Sequence, residues 1–338
     1  MNTKDKILQQ LESGPVAVVE LSDYLGISRQ SIHKALKSLL AEGRVLKLGS
    51  APTVFYSLAS KYEDEINEKP IVYVSSETEK NIENIFFHIT PLGYIQKGWQ
   101  GFVDWCMERN LQPSDMAKKY IKIQNKYNKH RENGLVNGYS KIQATFKEMF
   151  LDEVFYLDFY SIEIFGKTKV GQLLLYAKQS QDIKLMNQLI DDIKPAILQL
   201  IERHKIDGVL FVPPTIQREN QFMRQLEKRL ALSLRKVEVA KVKTPIIIPQ
   251  KTLSKLDDRI INAQQTIIVN DNNRYKNILI IDDAVGSGAT IHETAKKFRQ
   301  KNICSGSVIG LAITGSAKGF DVISEIWQFN EAYAIILT

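Results

Sequence analysis

Residues 277–298 read NILIIDDAVGSGATIHETAKKF, and this stretch constrains the fold more than any other. An apolar run, Ile278 to Ile281, leads into two adjacent carboxylates, Asp282 and Asp283. A run of small residues follows, and then an amphipathic helical pattern. Strand, turn and helix in that order belong to α/β architecture.

The rest of the C-terminal half agrees. From about Leu151, strand-like stretches (VFYLDFYSIEIFG, DGVLFV, KVEVAKV, SVIGLAIT) alternate with helical ones (KVGQLLLYAKQS, IKLMNQLIDDIKPAILQLIERHK, QFMRQLEKRLALS, ATIHETAKKFRQK). Ligands in such sheets bind at the carboxyl ends of the strands, where Asp282 and Asp283 are expected. A carboxylate only accepts hydrogen bonds, so an adjacent pair suits vicinal hydroxyls. The glycines of the next stretch, Ala284 to Thr290, permit unusual backbone angles. They allow N–H groups to converge at a helix start, which favours a phosphate. Ser287 and Thr290 add hydroxyls. A sugar diol at the acids and a phosphate at the amides describe a ribose 5-phosphate. No lysine follows the glycines as in a P-loop, and neither the GxGxxG fingerprint nor EF-hand spacing is present. A ligand-free structural turn is the alternative.

ILIIDDAVGSGAT resembles the phosphoribosyl-pyrophosphate (PRPP) motif of type I phosphoribosyltransferases. Within that superfamily the chain is most similar to the ComF-like group of competence-associated proteins. KVGQLLLYAKQS, FVPPTIQRENQ and PQKTLSKLDDRIIN carry the likeness further, over about residues 160–315. The resemblance implies a mostly parallel α/β sheet and a PRPP site. Asp282 and Asp283 would hold the ribose hydroxyls; Gly286, Ser287, Gly288, Ala289 and Thr290 would cradle the 5-phosphate. Pro213, Pro214, Thr215 and Arg218 would form the pyrophosphate loop, with Gln217 beside them. Gln250, Lys251 and Arg259 would lie on a flexible loop that closes over the site. Mg2+ would arrive with the pyrophosphate, without a protein-ligand site of its own. The chain departs from the pattern at Gly286 and Ser287, where that group carries threonines. Gly286 also stands where 6-oxopurine transferases carry an acid, so hypoxanthine-guanine salvage is disfavoured.

The first segment, residues 1–58, reads as three helices and a hairpin. Ile7, Leu8 and Leu11 share a face, Gly26 stops a second helix, and Ser28 caps a third that ends at Gly43. Ile32, Ala35, Leu36, Leu39 and Leu40 form the third helix's apolar stripe. Ser28, Arg29, Gln30, Ser31, His33, Lys34 and Lys37 are the candidate DNA-contacting residues. Arg29 and Gln30 suit base edges, and Lys34 and Lys37 suit phosphates. The segment resembles winged helix-turn-helix domains of bacterial regulators, including the one that opens biotin repressors. The resemblance implies DNA binding; protein contact or dimerisation is the alternative. Residues 59–150 begin with a charged linker (59–70) and read as a mainly helical middle domain after one short strand. Lys118, Lys122, Lys126 and Lys129, with Tyr120 and Tyr127 nearby, read as a solvated helix face or a nucleic-acid track. Residues 151–338 complete the chain as the phosphoribosyltransferase-like domain.

The balance of 45 basic and 38 acidic residues gives a net charge of +7, which permits an anionic partner without requiring one. The two cysteines, Cys106 and Cys304, lack metal-spaced partners. No apolar run approaches the roughly 20 residues of a membrane span. A reduced, cytoplasmic protein with no membrane partner is expected, and a homodimer suits paired DNA half-sites. Three functions stay open: a DNA-binding regulator sensing PRPP or a nucleotide, arranged like the purine repressors; an active phosphoribosyltransferase; and a ComF-like handler of single-stranded DNA.

Overall fold

The computed structural model describes residues 2–50, 52–59, 72–242 and 244–317. Nearly all of the expected linker at 59–70, and the end of the C-terminal segment from 318, lie outside them. The chain divides into two units, Met1–Val72 and Tyr73–Thr338.

In the first unit, α1 (Thr3–Leu11) is capped by Asn2, which accepts from the Asp5 N–H at 2.9 Å while Asp5 accepts from the Asn2 N–H at 3.2 Å. Strand β1 (Val16–Ala17) and α2 (Val18–Leu25) follow, and Gly26 ends α2 with φ 63°. Helix α3 (Arg29–Ala41) starts at Ser28, whose hydroxyl accepts from the Ser31 N–H. Strands β2 (Val45–Ser50) and β3 (Thr53–Leu58) pair antiparallel, and β1 joins β3. Two-residue β1 is too short to carry a sequence period. Ile7, Leu11, Leu21, Ile32, Leu36 and Leu39 are buried in one core, each contributing about 1.5–3 kcal/mol of apolar burial.

The second unit opens with α4 (Ser76–Ile85), β4 (Phe87–Ile89), β5 (Ile95–Lys97), α5 (Gly98–Met107) and α6 (Pro113–Asn128). Strands β6 (Arg131–Glu132) and β7 (Leu135–Asn137) and helix α7 (Tyr139–Gln143) complete this part. These residues do not form the separate helical domain expected at 59–150. Ile82, Phe102, Tyr120 and Ile123 share one core with Val154, Tyr156 and Ile280 of the sheet. The reason is aromatic area that two helices cannot cover alone: Tyr120 packs 4.7 Å from Phe165 and 5.5 Å from Phe102, ring to ring. The same packing removes Tyr120 and Tyr127 as base-stacking platforms, since both are buried, while Lys118, Lys122 and Lys129 are exposed and Lys126 pairs with Glu163 at 2.5 Å. The strand expected at the start of the segment is irregular over 72–75.

The sheet follows. Its elements are β8 (Glu153–Phe159), α8 (Lys169–Ser180), α9 (Ile183–Arg203), β9 (Gly208–Phe211), α10 (Phe222–Leu230) and β10 (Arg235–Lys236). Next come β11 (Val239–Lys241), α11 (Leu256–Thr266), β12 (Ile267–Val269), β13 (Ile278–Val285), α12 (Ala289–Gln300) and β14 (Val308–Gly315). Among the described residues, seven strands form one mixed sheet in the order β10-β9-β13-β14-β8-β7-β6. The first five run parallel; β7 and β6 are added antiparallel. Side chains alternate across it. Leu279 and Ile281 face α8, α9 and α10, whereas Ile278 and Ile280 join Ile291, Ala295 and Phe298 of α12. His292 ties α12 to the preceding segment, stacking on Phe146 at 3.8 Å with Nε2 2.8 Å from the Glu148 carbonyl oxygen. Cys106 and Cys304 are free and buried, and burial pushes the Cys106 thiol up to about 12. Among the described residues no helix is long and apolar enough to cross a membrane.

Candidate functional site

Because β8, β9, β13 and β14 are parallel, their carboxyl ends lie along one edge of the sheet. A cavity of about 380 Å³ opens there. Tyr160 and Ser161 line it after β8, Val212 to Ile216 and Arg218 after β9, Asp282 to Thr290 from β13 onward, and Thr314 to Ser316 from β14. Lys178 of α8, Lys241 at the end of β11, Gln250 and Arg259 complete its polar wall. Four stretches singled out from the sequence thus meet around one space. Gln217 does not share it; it is exposed, with Arg224 Nη2 3.5 Å from its Oε1. The Lys251 side chain is outside the described residues.

Asp282 and Asp283 prolong β13 beyond its apolar run, and both are half-buried. Asp282 Oδ1 accepts from the Asp283 N–H at 2.8 Å. Burial, and then the Asp283 charge, push the Asp282 carboxyl up to about 7; Lys241 and Lys178 oppose the rise. Asp283 Oδ2 accepts from Lys178 Nζ at 2.7 Å. Burial pulls the Lys178 ammonium down, but Asp283 and then Asp282 outweigh it and hold the ammonium above the usual lysine range. Burial leaves Lys241 below its usual range despite both acids.

The turn after β13 ends at Gly288, φ 81°, in the left-handed region that favours glycine. A Cβ there would also lie 2.4 Å from Ile142 Cδ1 of α7. From Gly288 the chain enters α12, whose first intrahelical bond is His292 N–H to the Gly288 carbonyl at 2.9 Å. The preceding N–H groups of the first turn have no acceptor four residues back, and they carry the positive end of the helix dipole. Ser287 is buried, with Oγ 3.4 Å from the Ala289 nitrogen, and Thr290 is half-buried. Gly286 keeps negative φ; what it provides is space. A Cβ there would stand 3.1 Å from Arg259 Nη1.

The expected flexible loop is partly helical. Gln250 starts a 3₁₀ turn, Gln250–Thr252, and donates to the Arg259 carbonyl at 2.9 Å and to Asn262 Oδ1 at 3.1 Å. Arg259 belongs to α11 and is only 7% exposed; its Nε donates to the Leu253 carbonyl at 2.8 Å. Burial draws its guanidinium below the usual arginine range, and no carboxylate pairs with it among the described residues. Arg259 is therefore no solvated loop charge. It is a buried cation of a helix, set against the turn at Gly286, rather than a residue of a flexible loop. Arg218 donates through Nη1 to the Lys178 carbonyl, fixing the loop after β9 to the end of α8.

No protein-family model and no curated protein matches this chain. The chemistry of the site therefore rests on its geometry. Its described lining holds two carboxylates, Asp282 and Asp283, and four cations, Lys178, Arg218, Lys241 and Arg259. An acceptor pair, a helix N-terminus and a surplus of cations suit a polyhydroxylated, strongly anionic ligand. No group of three or more His, Cys, Asp or Glu side chains able to hold a metal occurs among the described residues.

Lys178 and Lys241 were missed as site residues. Lys178 carried a signal: with Gly171 and Leu174 it falls on the helical stripe that α8 buries, an unusual place for a lysine. Lys241, ending a short strand, carried none. In the first unit, Ser28, Arg29, Gln30, Ser31, His33, Lys34 and Lys37 are all exposed; Gln30, Lys34 and Lys37 lie on the side of α3 away from Ile32, Leu36 and Leu39, and Ser28 and Arg29 stand at its N-terminal end.

Proposed function

We propose that the cavity binds a ribose 5-phosphate, with PRPP the leading candidate, and that the protein is a DNA-binding regulator responsive to that ligand. The observation that carries the ligand reading is the convergence of Asp282 and Asp283, the Gly286 to Thr290 turn and Arg218 on one cavity at the carboxyl edge of a parallel sheet. In this reading the diol docks on the two acids. The 5-phosphate sits on the N–H groups and hydroxyls from Gly286 to Thr290, with Arg259 supplying charge. Pro213 and Pro214 lack N–H donors, so Thr215 and Arg218 hold the pyrophosphate. Such a site is the one expected of the type I phosphoribosyltransferase superfamily and its ComF-like group.

Mg2+ enters this reading chelated by the ligand's pyrophosphate, whose charge it neutralises. Asp282 and Asp283 are the described lining carboxylates that fit its hydration shell.

The DNA-binding half of the proposal rests on the first unit: a helix capped at Ser28 presents Arg29, Gln30, His33, Lys34 and Lys37 to solvent beside a three-stranded sheet, as a winged helix does. A second reading, an active phosphoribosyltransferase, is favoured by the apolar part of the cavity. Tyr160, Leu174, Leu175 and Phe222 offer a wall for an aromatic base. Catalysis would consist of positioning and of neutralising the leaving pyrophosphate by Arg218 and Lys178. Fluorescence anisotropy of duplex DNA with and without PRPP, run beside a pyrophosphate-release assay over a panel of bases, separates the two. PRPP-dependent DNA affinity without turnover supports the regulator; turnover with any base replaces it by the enzyme.

A further inference from the structure

The Lys178–Asp283 pair sits inside the cavity on an oxygen that the proposed ligand needs. Lys178 Nζ lies 2.7 Å from Asp283 Oδ2, with the two side chains 36% and 26% exposed. Its backbone carbonyl meanwhile receives Arg218 from the loop after β9. Lys178 therefore touches both ends of the site, its ammonium the acid pair and its carbonyl the loop that would hold an anion. A diol arriving at Asp283 must share or displace the ammonium. No other lining carboxylate among the described residues remains to receive it except Asp282, which is itself opposed by the Asp283 charge. A half-buried cation left without a counter-charge is costly. Arg218, Lys241 and Arg259 already bring more positive charge to the wall than the two acids offset.

We propose that Lys178 is the specificity-determining residue of this site: it leaves Asp283 when the ribose hydroxyls dock and is received by a second anionic group on the C1 side of the ligand. This rests on the ribose 5-phosphate reading given above. A ligand with a C1 pyrophosphate supplies the new partner, whereas ribose 5-phosphate alone breaks the pair and offers nothing in return. Lys178 thereby couples recognition of the diol to recognition of the C1 substituent. It also keeps the acid pair neutralised while no ligand is bound.

The test is isothermal titration calorimetry of the full chain with PRPP and with ribose 5-phosphate, in one magnesium-containing buffer, for the wild-type protein, Lys178→Met and Lys178→Arg. The wild-type protein is expected to prefer PRPP by about tenfold or more. In Lys178→Met the preference should fall to within about threefold, with ribose 5-phosphate binding unchanged or tighter because its competitor for Asp283 is gone. Lys178→Arg, which keeps the charge, should retain the preference and controls for loss of fold. An unchanged preference in Lys178→Met, or an equal loss of both ligands, overturns the proposal. Failure of the wild-type protein to bind either sugar phosphate overturns the underlying ligand reading and the proposal with it, and the wild-type titration alone reveals that case.

Discussion

Arg259 Nη1 lies 3.1 Å from the point where a Cβ on Gly286 would stand, so the glycine leaves room for a buried guanidinium at the mouth of the turn before α12. In the sequence Gly286 is a departure, with neither a threonine nor an acid at that position. In the fold it is one half of a pair whose other half is a cation. The departure removes a side chain and admits a charge suited to phosphate.

Arg259→Gln should weaken ribose 5-phosphate and PRPP binding by at least about tenfold, the usual scale for losing a charge-assisted hydrogen bond. The empty variant should melt no lower than the wild-type protein, because a buried cation without a carboxylate partner is itself unfavourable. Calorimetry and thermal melting measure the two effects. A variant that binds normally would remove Arg259 from the site.

Asp282 gives the stability a definite pH dependence. Its carboxyl is raised from 3.8 to about 7, so the folded state holds the proton more tightly than the unfolded state. The stability it contributes is fully present below about pH 4 and is lost as pH rises through about 7. Asp282→Asn carries no such charge. The melting temperature of the variant relative to the wild-type protein should therefore be higher at pH 8 than at pH 5. A difference independent of pH would show that Asp282 titrates normally.

Gly288→Ala forces a side chain into φ 81° and places its Cβ 2.4 Å from Ile142 Cδ1. The left-handed conformation alone costs about 1–2 kcal/mol. A melting point lower by roughly 2–4 °C per kcal/mol follows, together with weaker ligand binding as the turn shifts. Loss of stability with intact binding would separate the turn from the site.

On the first unit, Lys34→Ala should lower the salt dependence of DNA binding by about one phosphate contact, whereas Arg29→Ala should relax sequence preference. Both side chains are exposed, so thermal stability should move little, within about 0.5 kcal/mol. Salt-titrated anisotropy on specific and scrambled duplexes reads this directly. A salt slope that neither variant changes would point to protein contact instead.

Much of this architecture is legible in the sequence where a long period coincides with local capping. The Ile278 to Ile281 run, the Ser28 cap, the glycine stop at Gly26 and the glycine turn that leads into α12 at Gly288 each fix a local geometry that the fold keeps. Strands of two or three residues, such as β1, β6 and β7, carry no period, and without them the aromatic helices before β8 read as a domain of their own. The acid pair and the turn were visible because they are contiguous. Lys178 and Lys241 join the site only through folding, 105 and 42 residues before Asp283 in the chain, and their identity as cavity cations is a property of the sheet edge.

The central claim is that the cavity holds a ribose 5-phosphate by its diol and its phosphate together. Its most direct measurement is calorimetric titration of PRPP into the wild-type chain and into Asp282→Asn/Asp283→Asn, with thermal melting of the same samples. The account predicts saturable one-site binding and a ligand-induced rise in melting temperature for the wild-type protein, both lost in the double variant while it remains folded. Equal binding and an equal thermal shift in the two proteins would contradict it.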